Sequence, residues 1–228
     1  MLTTSLHANE SYLIVSASYP PYQYEENGDA TGLSTQVVKE AFDRAGVSYS
    51  IKFMSWARAY ETALNTPNVF IYSIARTSTR ENLFKWAGQI LESPNCLISL
   101  RARKDIALTH DFESIKNHSI GAVRGDLITT MLENKGLQES LDYVSTDIQN
   151  IQKLHRGRVD LVAVSESSAT YISKQIGADH TNLKVHFCPK SFAYKFNIAA
   201  NIKTEDGVFK KIQRELEKIN QYQKAQSN

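Results

Sequence analysis

Apolar residues along this chain follow two rhythms in alternation. Short runs, continuous or of period two and closed by turn residues, read as strands at 12–16, 47–53, 69–74, 96–100, 119–123, 141–144, 159–164, 183–187 and 196–200. Between them lie stretches whose apolar positions recur three and four apart, as amphipathic helices require. Val37, Val38, Ala41, Phe42 and Ala45 share one face of a helix that starts near Ser34, a good N-cap, and stops at Gly46. Further helices are expected at 56–64 behind Ser55, from 126 to 134, at 147–155 with Asp147 as cap, and at 166–175. A last helix spans 204–222, where Phe209, Ile212, Leu216 and Ile219 align. Tyr19-Pro-Pro-Tyr22 is a stiff loop, because each proline fixes its own φ and keeps the preceding residue extended. Asn27-Gly28 centres a tight turn, and 81–84 reads as the first turn of a helix or a tight connection.

The fold class is therefore α/β, and the order of elements points to two lobes. One α/β unit is followed by a polar stretch at Arg101-Ala-Arg-Lys-Asp105, then by a complete second unit, then by one more strand and the long helix. Residues 1–98 and 192–228 are expected to form lobe 1 and 103–188 lobe 2, with a two-strand hinge near 97–102 and 188–193. A cleft between lobes is a favoured ligand site.

Composition narrows the function more than the fold. The 228 residues are 42% hydrophobic and 22% charged, which suffices for a packed core. A net charge of +2 without a basic tract gives no footprint for nucleic acid. No apolar run approaches the roughly 18 residues that span a bilayer. The six histidines are scattered and no metal-ligand spacing occurs, so no metal or other cofactor is expected. Gly121-Ala-Val-Arg-Gly125 has too few glycines for a phosphate loop.

The candidate chemistry sits at Ser73-Ile-Ala-Arg-Thr-Ser-Thr-Arg80, where the 69–74 strand ends. In open α/β sheets ligands bind beyond the carboxyl ends of strands, and arginine's planar fork of donors suits a carboxylate. Ala75, Arg76, Thr77 and Arg80 are thus candidate binding residues, although the segment also reads as a solvated polar loop. Cys96 and Cys188 lie in apolar, strand-like contexts. They are either two buried thiols or, in an exported protein, a bridge contributing ~4 kcal/mol by the chain-entropy estimate. Residues 1–8 have no periodicity. Ser5-Leu-His-Ala8 reads as the tail of a secretory signal behind an added Met1, or as a frayed end.

Taken in order, these segments resemble the periplasmic solute-binding proteins of polar amino-acid ABC transporters, family 3. The elements are Tyr19-x-Pro-Tyr22, Gly32-Leu-Ser-Thr-Gln-Val-Val38, Trp56-x-Arg-Ala59, Thr77-Ser-Thr-Arg80, Ile120-Gly-Ala-Val-Arg-Gly125 and Gly157-Arg-Val-Asp-Leu-Val162. The resemblance covers roughly Tyr12 to Ile219 and implies a two-lobed periplasmic-binding-protein fold, each lobe a mixed sheet flanked by helices. It implies that Arg80, with Thr77, holds a ligand carboxylate. Backbone groups at Arg124-Gly125-Asp126 would assist from the other lobe. Tyr19 and Tyr22 would wall the ligand and Trp56 would close the side.

The chain departs from the family where an acidic residue usually holds the ligand's ammonium. That position is Ser165, with Glu166 beside it, and Asp126 stands where a hydroxyl is usual. These departures favour a small polar or carboxylate-bearing solute over a standard amino acid, with an amino acid held through Glu166 as the close alternative. The resemblance further implies an exported, periplasmic monomer lacking its signal peptide, which binds a small molecule and delivers it to an inner-membrane ABC permease. Two other readings share the scaffold. One is a periplasmic enzyme of the prephenate or arogenate dehydratase kind, with Glu166 or Asp126 as general acid. The other is a solute-sensing module for a signalling partner, although the chain's end shortly after the 204–222 helix weighs against a fused sensor.

Overall fold

The computed structural model describes residues 11–109 and 111–226; residues 1–8, which carry the signal-tail reading, lie outside them. In chain order the strands and α-helices are β1 (Tyr12–Ser16), β2 (Tyr24–Glu26), β3 (Asp29–Thr31), α1 (Leu33–Arg44), β4 (Tyr49–Phe53) and α2 (Trp56–Asn65). Then come β5 (Val69–Ala75), β6 (Phe84–Ser93), β7 (Cys96–Leu100), β8 (Ile120–Val123), α3 (Leu127–Asn134) and β9 (Leu141–Val144). The last six are α4 (Asp147–His155), β10 (Leu161–Val164), α5 (Glu166–Gln175), β11 (Leu183–Phe187), β12 (Tyr194–Asn201) and α6 (Asp206–Gln226).

Two mixed five-stranded sheets make a two-lobed α/β fold, with strand orders β4-β1-β5-β12-β6 and β11-β7-β10-β8-β9. In the first, β1 runs parallel to β4 and β5, while β12 lies antiparallel to β5 and β6. In the second, β8 runs parallel to β9 and β10, and β7 lies antiparallel to β10 and β11. The carboxyl ends of β1, β5, β8, β9 and β10 carry the loops that meet between the sheets.

Strand β7 belongs to the second sheet, so the chain leaves the first sheet between Ser93 and Cys96 rather than at 97–102. An apolar run such as Cys-Leu-Ile-Ser-Leu suits a buried strand of either sheet, and the sequence alone does not assign it. Strand β6 is a second difference. It was expected to be at most a turn or connection at its start, yet it pairs with β12 from Ser93↔Tyr194 to Phe84↔Asn201. Two register shifts break its alternation, which is why period two does not show in the sequence.

Local chemistry explains two altered helix starts. Gly32, with φ 107°, stands at the N-cap of α1, and a Cβ there would lie 2.5 Å from the Tyr22 carbonyl oxygen. Ser34 falls instead in the first turn, buried. Thr146 caps α4 by accepting from the Gln149 N–H at 3.3 Å, which frees Asp147 for another use. Helix α6 returns to the first lobe, where Leu216 covers Gly88 and Asn220 Nδ2 donates to the Gln89 carbonyl at 2.8 Å.

One apolar cluster runs from Ile14, Phe42 and Phe70 through Tyr19, Tyr22 and Phe196 to Val162, Val164 and Ile172, joining both lobes. A disulfide links Cys96, at the start of β7, to Cys188, just past its neighbour β11, with Cα atoms 3.9 Å apart. Cys96 is buried and Cys188 exposed.

Candidate functional site

A cavity of about 70 Å³ lies between the lobes, lined by the strand ends of both. The first lobe contributes Ala17, Ser18 and Tyr19 after β1, Ser73 and Ala75 of β5, Arg80 beyond it, and Trp56 at the start of α2. The second contributes Val123, Asp126 and Leu127 after β8, Ser145, Thr146 and Asp147 after β9, and Ala163 of β10. Tyr194 and Phe196 of β12 close the hinge side. Ser73 has φ 57° where β5 slips register against β12, a left-handed conformation that costs serine energy. Its hydroxyl donates to Gln23 Oε1 at 2.9 Å, and both residues line the cavity.

Arg80 is the cavity's cation. Its Nη1 donates to the Ala75 carbonyl at 3.3 Å, and its guanidinium lies 5.2 Å from the Tyr60 ring centroid and 5.8 Å from that of Trp56. Among the described residues it forms no salt bridge. The guanidinium is thus oriented by a carbonyl and two aromatic faces, with donors left for an anion.

Two carboxylates face the cavity from the second lobe. Asp126 caps α3, accepting from the Leu127 N–H at 2.6 Å, and also accepts from the Tyr194 hydroxyl. Burial pushes the Asp126 carboxyl above its usual pKa, opposed by the Tyr194 and Leu127 donors and by the positive charge of Arg80. Burial and then the Asp126 charge push Asp147 up to about 7. Burial, and then the Asp126 charge, hold the Tyr194 hydroxyl far above the usual phenol range, so it stays a donor.

Tyr19 ties the lobes together behind the cavity. Its hydroxyl donates to Asn95 Oδ1 at 2.7 Å and accepts from the Ser165 N–H at 3.1 Å. Asn95, between β6 and β7, in turn donates to the Phe192 carbonyl at 2.8 Å on the return crossing. Trp56 Nε1 donates to the Gly125 carbonyl at 3.0 Å, Tyr22 and Ser167 hydroxyls meet at 3.1 Å, and the Ser168 hydroxyl donates to the Pro20 carbonyl. The lobes are closed upon each other.

Of the residues singled out from sequence, Tyr19, Trp56, Ala75, Arg80 and Asp126 line the cavity and Gly125 borders it through its bond to Trp56. The others stand elsewhere. Tyr22 stacks behind Tyr19, with centroids 5.4 Å apart. Arg76 pairs with Glu81 at 2.5 Å over the Trp86 ring, and Thr77 shares a 2.9 Å hydrogen bond with Thr79 in the turn that presents Arg80. Arg124 lies over the Tyr143 ring, outside the cavity lining. Ser165 is the N-cap of α5, and Glu166 is exposed beside Pro21 and Lys174, away from the cavity. Asp147 and Tyr194 were missed. The rule that picked out Arg80, a polar residue just past a strand end, applies equally to Asp147 after β9; its reading as a helix cap hid it. Among the described residues no group of three or more His, Cys, Asp or Glu could hold a metal.

The model of the bacterial extracellular solute-binding proteins, family 3, matches residues 13–226. No curated protein sequence matches the chain. Solved structures do. A histidine kinase sensor domain with similarity to periplasmic binding proteins superposes with TM-score 0.83 at 14% identity, covering 96% of this chain and 94% of that one. The arginine-, lysine-, histidine-binding protein ArtJ from the thermophilic bacterium Geobacillus stearothermophilus gives 0.75 at 17% identity, over 94% and 91%. A structure from work on glutathione import through GshT and the cystine ABC importer TcyBC of Streptococcus mutans gives 0.77 at 23% identity, over 93% and 89%. These likenesses share the two-lobed fold.

Proposed function

The chain belongs to the bacterial extracellular solute-binding proteins, family 3, and from that premise we propose that it binds a small zwitterionic solute, an α-amino acid or close analogue, between its lobes. The observation that carries this reading is the opposition, across one cavity, of Arg80 on the first lobe and Asp126 and Asp147 on the second. Arg80 takes the carboxylate through its fork of donors. Asp147, whose carboxyl no capping role consumes, takes the ammonium, with Asp126 adding negative potential. Tyr19, Trp56 and Phe196 cover the ligand's apolar part.

Asp147 removes the reason for preferring a solute without an ammonium. That preference rested on Ser165 standing at the usual acidic position with Glu166 and Asp126 as the nearest substitutes; Glu166 lies outside the cavity, whereas Asp126 and Asp147 line it. A buried ammonium left unpaired would be costly, and Asp147 provides the partner. The cavity's small volume in this closed form favours a ligand of few heavy atoms, or one that wedges the lobes apart.

In this reading the protein is extracytoplasmic and hands its solute to an ABC permease. The likeness to a histidine kinase sensor domain supports a second reading, in which lobe closure reports the solute to a signalling partner. Both require the same binding event. A thermal-shift screen of L-amino acids, dicarboxylates and polyamines tests it. An α-amino acid that raises the melting temperature supports the reading; stabilisation only by dicarboxylates or by polyamines refutes it.

A further inference from the structure

On the second lobe an open groove of about 320 Å³ carries four cations, Arg124, Lys153, Arg156 and Arg158, and no acidic residue in its lining. Lys153 is neutralised by Asp142 at 2.6 Å. The three arginines form no salt bridge among the described residues. Arg156 and Arg158 are exposed, on either side of the Gly157 turn that ends α4. Arg124 is held 5.1 Å over the Tyr143 ring, whose hydroxyl is itself fixed by Glu133 at 2.7 Å.

Three unpaired guanidinium groups in one groove repel each other, in a chain whose net charge is only +2. They add nothing to the core, and their arrangement concentrates positive potential on one face. Guanidinium forks suit carboxylates, and the groove is open, with its arginines in solvent. That geometry fits an extended acidic segment better than a small anion, which needs an enclosing set of donors. The groove also adjoins the ligand cavity. Ser145 lines both, and Arg124 precedes Gly125, which accepts the Trp56 hydrogen bond that joins the lobes.

We propose that this groove is a docking surface for an acidic segment of a partner protein, placed where the partner contacts the second lobe beside its junction with the first. The surface is distinct from the solute cavity, and its test does not depend on which solute is bound.

The test is fluorescence anisotropy of a labelled hexaglutamate peptide with the whole chain at low and physiological ionic strength. Binding that weakens with salt is expected, and the double charge reversal Arg156→Glu with Arg158→Glu should weaken it about tenfold or more. The double reversal Lys210→Glu with Lys211→Glu, on the exposed side of α6, changes the net charge equally and should change affinity less than about twofold. Equal losses in the two variants would reduce the effect to net charge and overturn the proposal. So would absence of peptide binding, capture of the chain by phosphatidylglycerol vesicles in its place, or full competition by inorganic phosphate at equal concentration. All the substituted arginines and lysines are exposed, and unchanged melting temperatures would show that both variants fold.

Discussion

Asp147 is the residue on which the proposed ligand's charge turns, and its raised pKa makes it testable without knowing the ligand. An isolated aspartate titrates near 3.8, and in the fold this one is pushed up to about 7. Between those values the folded chain binds more protons than the unfolded chain, so stability falls as pH rises through that window. The contribution is fully present below about pH 4 and is lost by about pH 7. Asp147→Asn should flatten that slope and, after allowance for the residue's partial exposure, stabilise the chain by about 1–2 kcal/mol at neutral pH. Urea denaturation of both proteins across pH 4–8 measures it; parallel curves would remove the buried charge from the account. The same substitution should weaken binding of an amino acid, since a neutral amide cannot pair the ammonium. Arg80→Ala should cost about 2–3 kcal/mol of affinity, roughly 30- to 150-fold, by loss of a charge-assisted fork, while leaving the fold intact. Calorimetry showing wild-type affinity in that variant would take Arg80 out of the site.

At the scale of elements, what the sequence made legible depended on whether a local rule acted alone. Helices α1, α3, α5 and α6 follow directly from apolar spacing, and the Asn27-Gly28 hairpin from the positive φ that both residues adopt. Strand β6 was hidden because its bulged pairing with β12 erases the alternation. Ser34 and Asp147 are both good N-caps on composition, yet Gly32 and Thr146 take those places. At Gly32 the tertiary contact decides, since the Tyr22 carbonyl leaves no space for a Cβ. Gly32→Ala therefore combines a left-handed backbone with a backbone clash, and should destabilise the chain by about 2–4 kcal/mol in denaturant titration. A loss below about 0.5 kcal/mol would show that the loop before α1 relaxes freely. Arg80 was legible because a strand, a polar turn and an arginine coincide within residues 69–80. Tyr194 was not, because only the return crossing brings it to Asp126 from a distant part of the chain.

Across the whole molecule, the lobes are joined by two crossings and a shared apolar cluster, and the disulfide ties the second-lobe ends of the two crossings to each other. The bridge closes a sequence separation of 92 residues, for which the chain-entropy estimate gives about 4–5 kcal/mol. The double substitution Cys96→Ser and Cys188→Ser should lower stability by up to that amount and leave solute affinity unchanged, because neither cysteine lines the cavity. Loss of binding in a folded double variant would show instead that the bridge sets the lobe geometry. The same architecture places an arginine on one lobe against two aspartates on the other, and the proposed recognition of a ligand with both charges rests on that opposition. The most direct measurement is a calorimetric titration of the amino acid that stabilises the chain most, beside its N-acetyl and carboxamide derivatives. Capping either charge should weaken binding by at least about tenfold, since each cap leaves one buried partner unpaired. An N-acetyl derivative that binds as tightly as the free amino acid would contradict recognition of a zwitterion by Arg80 and Asp147.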